Sequence, residues 1–321
     1  MRRRTGSEAA MSMRDNDDRR RATAAPVVVG VDGSPGAEAA VRWAAETAVR
    51  RARPLRIVHG MDLVTANGVL GVYAVMAPPV VDSVRAHGRA VVARAEKLAR
   101  EMAPGVPIST VVTADSGKHL LIEHSVDAYA VVLGATGTAG TLAHFGSTLL
   151  AVTARAQGTV VVVRTDRDAD GMIHDAGPVV VGVDGSPVSE AAIVTAFGEA
   201  ADRGAELVAV HAWSDWDYKR FAADGESMVP DAALEEAERA VLAERLAGWQ
   251  EKYPDVLVTR KIYLASPAAH LRDWSKRAQL VVIGSRGRGA LAGALLGSTA
   301  NSLVQHAYCP VMVVHPIRVT G

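Results

Sequence analysis

Apolar positions in the second half of the chain gather into five short blocks, at 179–183, 206–212, 257–263, 280–284 and 311–315. Most are near-continuous rather than alternating, as expected of strands covered by helices on both faces. Between them lie longer stretches with a helical period. From about 231 to 253, Leu242, Leu246, Trp249 and Tyr253 recur at intervals of three and four, which predicts one long helix with a single apolar stripe. Val91, Val92, Ala95, Leu98 and Met102 predict its counterpart in the first half. Ser186 or Ser189 can cap the helix after the first block, and Pro187 suits its first turn. Strands alternating with helices define an α/β protein with a parallel, doubly wound sheet.

The pattern occurs twice. Residues 26–35 and 178–187 both read PVVVGVDGSP. At nearly constant spacing, Ile57-Val58-His59 returns as Ala209-Val210-His211 and His119-Leu120 as His270-Leu271. VVLG at 131–134 returns as VVIG at 281–284, and Gly146-Ser147-Thr148 as Gly297-Ser298-Thr299. Repeats of this length mark two copies of one unit. The expected domains are 26–165 and 178–317, joined by a polar linker at 166–177 with two glycines and four aspartates. Residues 1–25 are polar and Arg-rich; they read as a disordered tail, or as sequence upstream of a start at Met11 or Met13, with a nucleic-acid-binding arm as the alternative.

Composition narrows the function classes. The net charge is zero, so nothing in the balance calls for nucleic acid or an anionic membrane as partner. No apolar run reaches the roughly 18–20 residues that span a bilayer, and none follows the arginines at 2–4 as a secretory signal requires. Cys309 is the only cysteine, which excludes an intrachain disulfide and a cysteine-built metal site. A cytoplasmic location is expected.

The chemistry sits in loops after strands. In the second copy Gly284-Ser285-Arg286-Gly287 is followed by nine residues and then Gly297-Ser298-Thr299. Glycines let the backbone approach an anion, and successive backbone N–H groups form a concave anion site. Gly297 and Ser298 are expected to open the last helix, whose N-terminus also favours phosphate. Ser298 and Thr299 add hydroxyls, and Arg286 or Arg288 adds positive charge. The second component is the turn Asp184-Gly185-Ser186, which is also ordinary helix-entry chemistry. Ligands of doubly wound sheets bind where strand order reverses. With strand four beside strand one, Asp184 and the glycine loop flank that crevice: a carboxylate for an adenine amino group or ribose hydroxyl, and an opposite wall for phosphate.

The first copy departs from this. It keeps Asp32, Gly33 and Ser34, and has Gly134 and Gly137, but only eight residues precede Gly146 and Ser147. Thr136 and Thr138 stand where the second copy has Arg286 and Arg288. A weaker or absent site is expected, impaired in its phosphate contacts rather than its adenine contacts. No Walker-type loop, H-E-x-x-H or G-x-S-x-G occurs, so no catalytic residue and no metal ligand is assigned. His59 and His211 are read as structural, and Cys309 as a buried, inert thiol.

The spacing Gly284-x2-Gly287-x9-Gly297-Ser298, with the VD turn at Asp184, resembles the ATP-binding members of the universal stress protein family, and the likeness covers both repeats. The resemblance implies tandem Rossmann-like, adenine nucleotide alpha hydrolase-like domains, each a five-stranded parallel sheet of order 3-2-1-4-5. It further implies ATP held without rapid turnover, with Mg2+ as a candidate companion, and a homodimer assembled through the last strands. The function implied is a nucleotide-dependent regulator acting on an unidentified protein partner. The alternatives are an interaction module that needs no nucleotide, and a slow ATPase or nucleotidyl transferase; the HIGH-like motif of such transferases is replaced here by Gly33-Ser34-Pro35 and Gly185-Ser186-Pro187.

Overall fold

The computed structural model describes residues 25–63, 78–137, 147–166, 168, 171–212, 232–287 and 296–316. In the first half, β1 (Val27–Gly30) leads to α1 (Pro35–Arg50) and β2 (Leu55–Gly60), then α2 (Pro78–Met102) and β3 (Ile108–Thr113). There follow α3 (Gly117–His124), β4 (Ala130–Gly134), α4 (Ser147–Arg155) and β5 (Thr159–Val163). The second half repeats the series: β6 (Val179–Val183), α5 (Pro187–Arg203), β7 (Leu207–Ala212), α6 (Ala232–Lys252) and β8 (Val258–Tyr263). It ends with α7 (Pro267–Ser275), β9 (Leu280–Gly284), α8 (Ser298–His306) and β10 (Val311–Val314). The strands expected at 206, 257 and 315 each stop one residue short. Leu257, for instance, is 76% exposed and has nothing to cover it.

Local sequence explains the helix entries. Ser34 and Ser186 accept hydrogen bonds from the N–H groups of Ala37 (3.1 Å) and Ser189 (3.2 Å), and Pro35 and Pro187 occupy the first helical positions. Ser186 is therefore the cap. The Ser189 hydroxyl turns back to accept from Asp184 N–H at 3.1 Å. Gly33 and Gly185 have φ of 83° and 78°, a conformation that disfavours any side chain and makes the Asp-Gly-Ser turn a glycine turn.

Both halves have the order 3-2-1-4-5, but they do not form separate sheets. The strands run β3-β2-β1-β4-β5-β10-β9-β6-β7-β8, with β5 and β10 antiparallel (Val162 opposite Val311, Thr159 opposite Val314) and all other neighbours parallel. The last-strand edge that the family resemblance assigns to dimerisation is thus filled within one chain. A homodimer of this protein has to use another surface.

The apolar core divides by sheet face, not by domain. Val27, Val29, Val179 and Val181 point to one face, covered by α1, α2, α5 and α6. Val28, Val131, Val180 and Val281 point to the other, under α3, α4, α7 and α8. The Leu242 and Leu246 stripe is fully buried on the first face, with Trp249 and Tyr253 packed at its border. Cys309 is fully buried on the second, and burial pushes its thiol well above the ordinary range, which keeps it protonated.

Polar residues pin the seam between the domains. Arg164, 3% exposed just past β5, donates from Nε to the Ala307 carbonyl (2.6 Å) and from Nη1 to the Val304 carbonyl (2.9 Å), closing the C-terminus of α8. Arg164→Met is expected to cost about 2–3 kcal/mol, because two buried carbonyls lose charged donors; the denaturant midpoint measures it. In the linker, His174 bridges Asp166 Oδ2 (2.8 Å) and the Ala278 carbonyl (3.0 Å), so its described residues are anchored to the second domain.

Candidate functional site

The crevice lies where β6 separates from β9, which pair side by side from Val179 opposite Leu280. Asp184 leaves the end of β6 and its Oδ1 accepts from Ser186 N–H at 2.9 Å. Its Oδ2 faces the opposite wall so closely that a Cβ on Gly287 would overlap it. Gly284 has no room for a side chain either: an added Cβ would meet Val188 Cγ1 at 3.0 Å, so the first turn of α5 packs directly on the end of β9.

Gly297 closes the second half of the site. Its N–H donates to the Ser285 carbonyl at 2.8 Å, which ties the two ends of the loop together. It is the N-cap of α8, in extended conformation and with no side-chain cap. The leading N–H groups of α8 and the hydroxyls of Ser298 and Thr299 are therefore presented at the crevice, where a helix N-terminus attracts an anion.

These elements enclose a cavity of about 260 Å³. Asp184, Arg286, Gly287, Gly297, Ser298 and Thr299 form its polar end. Val210, Ala212, Leu271, Ile283 and Ala300 form its apolar end, on the α7/α8 face of the sheet. Of the residues singled out in the second copy, Asp184, Gly284, Arg286, Gly287, Gly297, Ser298 and Thr299 thus come together. Gly185 and Ser186 shape the turn behind Asp184 rather than lining the cavity. Arg288 lies outside the described residues.

Sequence reasoning missed the apolar end, whose residues are ordinary core types until the fold turns them inward. It also missed Arg245 of α6. That guanidinium covers the turn, 2.9 Å from where a Cβ on Gly185 would stand, and pairs with Glu190. A signal was present in the repeat: Arg94 of α2 lies equally over Gly33, 3.3 Å from its would-be Cβ.

The first domain keeps the turn but brings the residues on its two sides into direct contact. Asp32 Oδ1 accepts from Ser34 N–H at 2.9 Å, and a Cβ on Gly137 would stand 3.0 Å from Asp32 Oδ2. Ser34 Oγ, however, donates across the gap to the Thr136 carbonyl at 3.1 Å, and Gly36 packs so closely that a Cβ would overlap that carbonyl. Gly134 is pressed on the Gly36 backbone in the same way. On the apolar side, Gly60 lies against the Gly117 backbone at the start of α3, and the buried Leu149 stands where the second domain has Ala300. The copies thus differ on the apolar side as well as in the loop. Gly146 lies outside the described residues, as does the side chain of Ser147, which opens α4.

The strand-end histidines serve the scaffold. His59 and His211 each donate from Nδ1 to a strand-end carbonyl, Val31 and Val183 respectively, at 2.7 Å. His211 Nε2 also meets Glu238 at 2.9 Å. Among the described residues no three His, Cys, Asp or Glu side chains gather to hold a metal ion, and no helix is long and apolar enough to cross a membrane.

Two doubly wound α/β units fused edge to edge, the second with a crevice at its switch point, define a tandem α/β architecture. Comparison with known proteins agrees. The universal stress protein family model matches residues 24–164 and 176–315. A universal stress protein of Mycolicibacterium smegmatis is 40% identical over 302 residues, 92% of this chain and 98% of the relative. One of Mycobacterium tuberculosis is 42% identical over 296 residues, 89% of this chain and 96% of the relative. A crystal structure of a universal stress protein from Archaeoglobus fulgidus superposes with a TM-score of 0.65 at 16% identity, covering 92% of this chain and 98% of that one, a likeness of fold. The chain belongs to the universal stress protein family, as a two-domain member.

Proposed function

We propose that the second domain binds ATP and that the protein acts as a nucleotide-dependent regulator, holding ATP without rapid turnover. The observation that carries this is the apposition of Asp184 and Gly287 across a crevice that ends on the uncapped N-terminus of α8. The apolar end accepts a base. The cavity is smaller than the roughly 300–1,000 Å³ of whole-ligand pockets, so the base and sugar enter it while the phosphates extend over Gly297, Ser298, Thr299 and Arg286. Mg2+ accompanies ATP through the phosphates, which hold the ion with few protein ligands.

Slow turnover is supported by the lining. Among its described residues there is no histidine or lysine, and Asp184 is the one carboxylate, its Oδ1 accepting from Ser186. ATP then works as a ligand that favours one state of the protein, read by a protein partner in the cytoplasm. The direct Ser34–Thr136 contact in the first domain favours a structural or partner-facing role for that half. A homodimer, if formed, joins through a surface other than β5 and β10.

Denaturing the purified chain and quantifying released adenine nucleotide, alongside ATP titration, tests this: about one nucleotide per chain is expected from one open crevice. About two would show that the first domain opens to admit ATP. None, with no binding on titration, would replace this reading with the nucleotide-independent interaction module.

A further inference from the structure

The two domains exchange a residue across their shared edge, and the exchange is unequal. Past β5, Arg164 spends its Nε and Nη1 on carbonyls of α8. Past β10, His315 holds the matching place: its backbone N–H donates to the Gly158 carbonyl at 2.9 Å and its ring lies beside the backbone of Thr153 in α4. His315 is 7% exposed, yet its Nε2 has no hydrogen-bond partner. On the neighbouring strand Ser285 is fully buried, and its Oγ has none either.

These two orphaned groups are neighbours. β9 and β10 are parallel with Gly284 opposite Val314, and Ser285 N–H donates to the Val314 carbonyl at 2.8 Å. Ser285 and His315 therefore follow side by side on strands about 4.8 Å apart. Continuing the alternation past Ile283 and Val313 puts both on the face covered by α8. Ser285 is also part of the anion loop: its carbonyl accepts from Gly297 and its successor is Arg286. Burying two polar groups without partners is destabilising, and native proteins seldom do so without a reason.

We propose that His315 is the proton-linked residue of the second domain's anion site: a phosphate chain seated on the 284–287 loop and the α8 N-terminus draws a proton onto the His315 ring at the domain seam. This rests on the proposed nucleotide site and specifies how that site is regulated. In the free protein, burial holds the imidazole below its ordinary value, the Arg286 charge adds to this, and the Thr153 carbonyl opposes both. Among the described residues Arg286 is the charged side chain acting on the ring. The seam elements α4 and β5 contribute the Thr153 and Gly158 carbonyls, β9 the Ser285 hydroxyl, and α8 opens with uncharged Ser298 and Thr299. A bound polyphosphate neutralises Arg286 and adds negative charge, which favours the imidazolium.

Linkage is reciprocal, so binding takes up a proton and affinity rises as pH falls. The rise begins at the proton affinity of the bound state and levels off below that of the free state. A change of about one unit in the ring's pKa gives about tenfold in ATP affinity between its limits. Titration calorimetry of ATP into wild type, His315→Asn and His315→Gln, in buffers of differing ionisation enthalpy, reads the proton count; subtracting the variants cancels titration of ATP itself. In parallel, NMR follows the His315 ring in wild type and Arg286→Gln without nucleotide. Expected are extra proton uptake in wild type alone and a raised His315 pKa in Arg286→Gln. Equal proton uptake in wild type and both variants, or a His315 ring unmoved in Arg286→Gln, overturns the proposal. ATP binding without the extra proton overturns the linkage alone, whereas no ATP binding at any pH overturns it together with the nucleotide site.

Discussion

Gly287→Glu is expected to abolish ATP retention by the second domain while leaving the protein folded. Gly287 is not required for backbone conformation, since its φ is not in the left-handed region. It is required for space: any Cβ there overlaps Asp184 Oδ2 on the opposite wall. A glutamate adds a second carboxylate beside Asp184, in the place where phosphate oxygens need positive potential. The combined effect is estimated at about a hundredfold or more in affinity, near 3 kcal/mol. Gly287→Ala carries the steric part alone and is expected to fall between the two. ATP titration and released-nucleotide chromatography measure the loss, and an unchanged thermal midpoint of the nucleotide-free proteins shows that the fold survives. Wild-type affinity in Gly287→Glu would place the nucleotide elsewhere.

The largest expected effect on stability is at Glu199. This α5 residue is fully buried yet charged, and its partners come from both domains. Arg51 donates to Oε1 at 2.8 Å, the Tyr129 hydroxyl to the same oxygen at 3.1 Å, and Arg203 to Oε2 at 2.8 Å, while Arg51 also pairs with Asp202. The Arg53 guanidinium lies 4.2 Å from the centre of the Tyr129 ring. Glu199→Ala leaves Arg51 and Arg203 facing each other at the seam without their shared carboxylate. A loss of about 3–5 kcal/mol follows from removing one partner of a buried ion pair.

The same cluster gives a pH signature. Burial alone would raise the Glu199 carboxyl, but Arg203, Arg51 and their hydrogen bonds outweigh it and hold the group below its ordinary value. A depressed folded-state value means that this stabilisation is complete above the unfolded carboxyl's value, about 4.3, and disappears as pH falls through the folded one. The gap in urea midpoint between wild type and Glu199→Gln is therefore expected to be widest near neutrality and to narrow below about pH 4. A gap that does not change with pH would mean that the carboxylate charge contributes nothing to the seam.

Much of this protein is legible in one dimension because its signals are local. The doubled PVVVGVDGSP, the five aliphatic blocks and the Leu242–Leu246 stripe determine two α/β units, since strand and helix periods and turn residues act over a few positions. The glycine loop is equally local in sequence, and at Gly284 and Gly287 neighbouring atoms leave little or no room for a Cβ. Other features depend on residues far apart in sequence. That Gly287 meets Asp184, that Gly60 is closed by Gly117, and that Leu271 and Ile283 wall a cavity follow only once the strands are ordered.

The seam was the least legible part. Whether the last strands of two repeats pair within a chain or between chains depends on linker reach and on the packing of whole domains, and the edge of a strand has the same sequence either way. Tertiary structure alone decided that they pair within this chain. It thereby merged two domain cores into one core on each face of a single sheet, and placed Arg164, Glu199 and His315, unremarkable in the sequence, at the junction. Periodicity specifies which face a residue takes, but contacts between distant segments specify what it meets there.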